Sequence, residues 1–181
     1  MLEVEVKIKV NIAEIEEKLI VAGFVKSSSV YEADTYFNSE YMDLKQADKA
    51  LRIRTHRNLD SGVETYILNF KGPKLDDTTM TREETEFEIP SYEAGATLLG
   101  GLGFSPAGSV EKHRISYIRD NITCCLDSVT GLGEFLEVEI IAEDSAYDES
   151  IGKIKGVLDI LGLDMGMSIQ ESYLCMLQNN R

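Results

Sequence analysis

The chain opens Met1-Leu-Glu-Val-Glu-Val-Lys-Ile-Lys9, a run in which apolar and charged residues alternate. Successive side chains of a strand point to opposite faces, so Glu3, Glu5 and Lys7 share one face while Leu2, Val4, Val6 and Ile8 share the other. The apolar face needs a core to meet. On the charged face, two neighbouring carboxylates repel each other unless a cation sits between them or a base follows closely. The stretch reads as a strand with metal chemistry on one side.

The same parity recurs downstream. Arg52 falls with Arg54, Asn69 with Lys71, Lys112 with Arg114, Arg82 with Glu84, Glu86 and Glu88, and Glu137 with Glu139. Each of these faces backs onto a largely apolar one. One such strand alone describes a sheet with a solvated side. For the whole set, the better solution is a sheet closed into a barrel, apolar outside against helices and charged inside. The fold class expected is α+β: an eight-stranded antiparallel β-barrel, a tunnel, with flanking α-helices.

Strands are expected at Tyr36-Phe37, Ala50 to His56, Glu64 to Phe70, Glu83 to Ile89, Val110 to Arg119, Asn121 to Asp127 and Glu134 to Ala142, with a hairpin at Gly131-Leu-Gly133. Asn11 with Glu14 starts a helix that stops at Gly23. A second helix opens at Ser91 and closes near Gly100, and a third runs from about Asp148 to Leu161 before Gly162. Ser168 with Glu171 makes a capping box for a last one. The 181 residues, 43% hydrophobic and 28% charged, suit one globular domain over 1–181. A net charge of -14 argues against nucleic acid or an anionic membrane as partner. No basic-then-apolar leader and no membrane-length apolar run is present, so a cytoplasmic protein is expected. Cys124, Cys125 and Cys175 are odd in number, and the adjacent pair points to opposite faces, which suits core thiols.

Seven cations, Lys7, Arg52, Arg54, Lys71, Arg82, Lys112 and Arg114, cannot be buried without anionic partners, and the acids identified on the strands meet only part of that need. A polyanionic ligand completes the balance. Arginine forks grip phosphate oxygens and lysines supply point charges, so the mixture suits a chain of phosphates. The pairs Glu3/Glu5 and Glu137/Glu139 offer the hard oxygen ligands that magnesium prefers, enough for one or two ions. A metal on phosphate oxygens neutralises charge in phosphoryl or nucleotidyl transfer.

These residues resemble the CYTH proteins, or triphosphate tunnel metalloenzymes, and within them the class IV adenylate cyclase-like branch. The similarity spans nearly the whole chain. It is carried by Glu3-x-Glu5-x-Lys7, Asp34-Thr-Tyr-Phe37, Leu51-Arg-Ile-Arg54, Phe70-Lys-Gly-Pro73, Arg82 with Glu84 and Glu86, Lys112-x-Arg114, and the run from Leu126-Asp-Ser-Val through Gly131-Leu-Gly to Phe135-Leu-Glu-Val-Glu139. The resemblance implies Mg2+ or Mn2+ bound by Glu3, Glu5, Glu137 and Glu139, with Asp127 near them. It implies phosphate binding by Lys7, Arg52, Arg54, Lys71, Arg82, Lys112 and Arg114, with Glu3, Glu5 and Lys7 central to catalysis. The partner implied is a triphosphate small molecule: ATP, thiamine triphosphate or tripolyphosphate. A homodimer stays open. The activity expected is most like class IV adenylate cyclase, ATP to cyclic AMP and pyrophosphate. The alternatives are a triphosphate hydrolase and a non-catalytic polyphosphate-binding module.

Outside this set, His113 has the parity of the outer, core-packing face and reads as structural. His56 shares the parity of Arg52 and Arg54 and suits either the tunnel or a loop. The segment from Pro73 to Thr81, with Asp76 and Asp77, reads as a solvated loop or a mobile lid between Lys71 and Arg82.

Overall fold

The computed structural model describes residues 2–75, 79–143 and 146–180, so Asp76 and Asp77 lie outside the described residues. Eight strands, β1 (Leu2–Lys9), β2 (Val25–Asn38), β3 (Ala50–Asn58), β4 (Glu64–Lys74), β5 (Arg82–Ile89), β6 (Ser105–Arg119), β7 (Ile122–Val129) and β8 (Gly133–Ala142), form a closed barrel. Their order around it is β1-β5-β4-β3-β2-β6-β7-β8, and every neighbouring pair is antiparallel. The helices are α1 (Ile12–Val21), α2 (Tyr92–Gly101), α3 (Tyr147–Leu161) and α4 (Tyr173–Asn179). The α+β barrel with flanking helices is thus the fold. Among the described residues, no helix is long and apolar enough to cross a membrane.

One seam of the barrel is short. β1 pairs with β8 in unbroken register from Leu2↔Ala142 to Lys9↔Phe135, but with β5 only at Leu2↔Glu83 and Glu3↔Arg82. Two distant segments cover the rest of that edge: Met80 N donates to Glu5 O at 3.1 Å and Ile169 N to Lys7 O at 2.8 Å. Carbonyls that an open edge would leave unpaired are thereby satisfied.

The main core lies outside the barrel wall. Val4, Val6 and Ile8 of β1, with Leu136, Val138 and Ile140 of β8, meet Ile15 and Leu19 of α1 and Ile154, Leu158 and Leu161 of α3. On the far side, Leu99 of α2 packs over Phe37 and Ile53. Helix α4 covers one end of the barrel, where Tyr173 joins Val110, Val129 and Phe135. It seats against Gly108, where an added Cβ would come within 2.6 Å of Leu174 Cδ1.

Helix starts follow the capping chemistry: Asn11 accepts from Glu14 N at 3.2 Å and Ser91 from Ala94 N at 3.1 Å. Gly23 and Gly162 sit just past α1 and α3 with φ of +84° and +74°. Several boundaries differ from the sequence reading, among them the end of β4 at Lys74 rather than Phe70. β2 begins at Val25, eleven residues before Tyr36, because its polar Ser27–Ser29 stretch is held in ladders with β6 and, further on, β3; long-range pairing overrides local propensity. β6 likewise begins at Ser105 rather than Val110. The last helix is capped by Ser172, which accepts from Cys175 N at 3.2 Å, and not by Ser168. Ile169 is drawn out to bond Lys7 O, so the chain stays non-helical until Ser172.

Candidate functional site

The barrel interior encloses a cavity of about 710 Å³, and all seven predicted cations line it with Glu3, Glu5, Glu137 and Glu139. Parity on each strand puts them there. Glu5 and Glu139 are register partners on β1 and β8. One carboxylate oxygen from each of Glu3, Glu5 and Glu139 lies within 4.8 Å of the others. Burial, then the nearby Glu137, pushes Glu5 up to about 7. Burial pushes Glu139 up to about 8, with Arg114 opposing and Glu3 and Glu137 adding, and burial also raises Glu3 against the pull of Lys71. Three oxygen donors that resist being charged together fit a divalent cation, whose charge would relieve their repulsion.

Asp127 and Glu137 stand apart from that triad. Asp127 is fully buried and accepts from Lys112 Nζ at 2.9 Å, from Arg114 Nε and Nη2 at 2.6 Å each, and from the Tyr173 hydroxyl at 3.0 Å. Glu137 pairs with Lys7 at 3.2 Å and with Arg114. Burial works against its ionisation, but Lys7 and Arg114 outweigh that and hold it well below the usual carboxylate range.

The cations are cross-braced by acids. Arg54 forks Asp34 at 2.7 and 2.9 Å and reaches Glu32 at 3.0 Å. Arg52 donates to Asp34 at 3.0 Å. Lys71 bridges Glu3 at 2.6 Å and Glu84 at 3.1 Å, while Lys112 also lies 3.4 Å from Glu32. Arg82 donates to the carbonyls of Asp48 and Gly72 at 2.6 and 2.7 Å, tying the β2–β3 connection to β4.

Glu32, Asp34, Glu84 and Tyr173 inside the barrel, and the half-exposed Asp48 beside Arg82, are partners of the cations that the sequence reading did not name as site residues. Their presence corrects the expectation that acids meet only part of the cationic demand: every predicted cation has an acidic partner within 4.0 Å. Burial raises Glu3, Glu5 and Glu139, while Asp34 and Glu84 are held low, each at about 2. For Asp34, burial is outweighed by Arg52 and Arg54. For Glu84, burial is outweighed by its bond with Glu3 and by Lys71.

His56 lies with Nδ1 3.4 Å from Glu32 Oε1 and is one-third exposed, outside the residues that line the cavity. His113 has the expected outer parity but is exposed, tilted against Tyr31 at 5.2 Å between ring centroids, and does not pack in a core. Cys124 and Cys125 are buried free thiols, and burial pushes Cys124 up to about 12.

The chain matches the family described as CYTH domain over residues 1–173. It is 32% identical over 176 residues, 96% of this chain and 97% of the relative, to MJ0240 of Methanocaldococcus jannaschii, a protein named for adenylate cyclase. The structure of PH1819 from Pyrococcus horikoshii OT3 superposes with a TM-score of 0.89 at 35% identity, covering 99% of both chains. HpAC1 from Hippeastrum, an adenylyl cyclase by name described as having a dominant triphosphatase activity, shares the fold at TM-score 0.68 and 19% identity, covering 99% of this chain and 96% of its own.

Proposed function

Because the chain belongs to the CYTH domain family, we propose that it is a metal-dependent enzyme acting on a triphosphate small molecule inside its barrel. The activity it most resembles is that of class IV adenylate cyclase, ATP to cyclic AMP and pyrophosphate. The observation that carries the reading is that the Glu3, Glu5 and Glu139 triad opens onto the same cavity as the arginines and lysines. Mg2+ or Mn2+ held by those three carboxylates would neutralise charge on phosphate oxygens.

The chain's own residues supply the rest. Lys7, Arg52, Arg54, Lys71, Lys112 and Arg114 bind and orient the phosphates, and their acidic partners fix each head in place before substrate arrives. Arg82 lines the same cavity and holds Asp48 of the β2–β3 connection against β4. Glu5 and Lys7, neighbours at 3.6 Å, stand where the triad meets the cations and carry the catalytic role. The whole chain works as one domain.

The name of MJ0240 supports cyclisation, whereas the dominant triphosphatase activity of HpAC1 supports hydrolysis as a second reading. Product analysis separates them. The pure protein is offered ATP, thiamine triphosphate and tripolyphosphate with Mg2+ or Mn2+. Cyclic AMP with pyrophosphate establishes the cyclase, and orthophosphate without cyclic product establishes the hydrolase. No turnover of any of them makes the barrel a binding module.

A further inference from the structure

Three lysines line the cavity besides the seven cations already described: Lys45, Lys49 and Lys74. Lys74 is paired, with Nζ 2.8 Å from Asp48 Oδ1, and Lys45 Nζ donates to the neutral Gln178 Oε1 at 2.8 Å. Lys49 is different. Among the described residues its ammonium has neither an ion-pair nor a hydrogen-bond partner, and the residue is part-exposed.

Its backbone, by contrast, is held on both sides. Lys49 N donates at 2.8 Å to the carbonyl of Leu44, which is buried. Asp48, just before it, turns the chain with φ of +52°, in the left-handed region. The Asp48 carboxylate accepts from Lys74 N and Nζ at 2.8 Å each and from Arg82 Nη2 at 3.0 Å, and its carbonyl accepts from Arg82 Nη1 at 2.6 Å. Ala50, just after it, starts β3 opposite Lys71. The β2–β3 connection is thus a fixed mount for an unpaired cation.

That makes Lys49 energetically unlike the barrel cations. A phosphate that meets Arg54 or Lys112 shares it with a carboxylate already in place, so the gain is a difference between two partners. Lys49 has no such competitor. A charge-assisted bond from its ammonium to an anion is gained against only the cost of stilling the side chain. We propose that Lys49 is a further phosphate-binding residue of the cavity, and that the β2–β3 connection is part of the binding site. The inference rests on the reading of the barrel as a triphosphate site, and it adds a ligand contact from outside the barrel wall.

Two measurements on the whole chain with Mn2+ test it. The first is calorimetric titration of tripolyphosphate and of ATP into wild type, Lys49→Gln, Lys49→Arg and Lys155→Gln. Lys155→Gln removes the same charge from an exposed position on α3, outside the cavity lining. Lys49→Gln should weaken both ligands about tenfold and Lys155→Gln less than about twofold, while Lys49→Arg stays within about threefold of wild type. The second needs no variant, and so serves if Lys49→Gln does not fold. Trace acylation of wild-type amines by acetic anhydride is read by peptide mass spectrometry. Tripolyphosphate at about ten times its Kd should slow acylation of Lys49 about tenfold and leave Lys155 unchanged. Equal losses in Lys49→Gln and Lys155→Gln, no loss in either, or a Lys49 that reacts as fast with ligand bound as without would overturn the inference alone. Wild type that binds neither tripolyphosphate nor ATP would overturn the triphosphate reading itself, and the inference with it.

Discussion

Tyr173 donates its phenolic hydrogen to Asp127 Oδ2 at 3.0 Å, and this bond joins the C-terminal helix to the charged wall of the barrel. The same ring lies under two of the tunnel cations, 4.3 Å from Lys7 Nζ and 5.3 Å from Lys112 Nζ. Its edge meets Phe135 at 5.1 Å between centroids. Helix α4 is therefore part of the site's scaffold.

Tyr173→Phe keeps the packing and removes the hydroxyl. Asp127 retains Lys112 and Arg114, so the expected cost is about 1 kcal/mol, that of one buried hydrogen bond. Tyr173→Ala also removes the ring that fills this end of the barrel, with an expected loss of about 3–5 kcal/mol. Urea denaturation measures both. A phenylalanine variant as stable as wild type would show that the two cations alone satisfy Asp127.

Lys71 lines the cavity and bridges Glu3 and Glu84, and its side chain is more exposed than those of Arg52 and Arg54, 19% against 12%. Lys71→Met should leave the fold intact and weaken tripolyphosphate binding about tenfold, equivalent to about 1.4 kcal/mol, with a smaller loss for orthophosphate. On the proposed reading several cations hold a chain of phosphates together, so removing one should cost most where the chain is longest. Equal losses for the two ligands in a competition titration would argue against a tunnel site.

How far the sequence was readable depended on whether one strand carried its own signal. β1 alternates cleanly, and its interior Glu3, Glu5 and Lys7 and exterior Val4, Val6 and Ile8 are as parity requires. β2 carries no such signal at its start. Its Ser27–Ser29 run resembles a loop, and it becomes a strand through pairing with β6, from Val25↔Ile118 onward. Missing the first part of that strand hid Glu32 and left Asp34 as a motif residue with no role, although Glu32, Asp34 and Tyr36 keep the same period-two spacing. Tyr173 was illegible for a different reason: an aromatic residue opening a short helix gives no hint that its hydroxyl meets an aspartate 46 positions earlier. The separation of Asp127 and Glu137 from the triad likewise depends on which cation reaches which acid, which parity does not determine.

Asp34 gives the barrel an acid-labile brace. Its carboxyl lies near 2 rather than 3.8, because Arg52 and Arg54 outweigh the burial that would raise it. A depressed carboxylate stabilises the fold above its unfolded value and loses that contribution as pH falls through the folded one. The expected loss is therefore about 2 kcal/mol between roughly pH 4 and pH 2. Asp34→Asn removes this part of the slope and lowers stability at neutral pH by about 3 kcal/mol, because Arg52 and Arg54 lose their shared counter-charge while Arg54 keeps Glu32. Urea midpoints between pH 5 and pH 2 test it. A variant with the wild-type slope would show that the acid sensitivity arises elsewhere.

Glu5→Gln separates the metal role from the structural one. Glu5 is 6% exposed, yet its nearest basic contact, Lys7 at 3.6 Å, has the closer partner Glu137 at 3.2 Å. The amide should therefore fold normally, and without metal it should melt at or above the wild-type temperature, since a costly buried carboxyl beside Glu3, Glu137 and Glu139 has become neutral. It should bind Mn2+ at least about tenfold more weakly, because an amide oxygen brings no charge to a hard divalent ion. Metal-dependent turnover should disappear with it. Calorimetric titration of Mn2+ and melts in chelator give the two readouts separately. Unchanged Mn2+ affinity in a normally folded variant would remove Glu5 from the metal site and leave Glu3, Glu5 and Glu139 as a cluster of protonated acids.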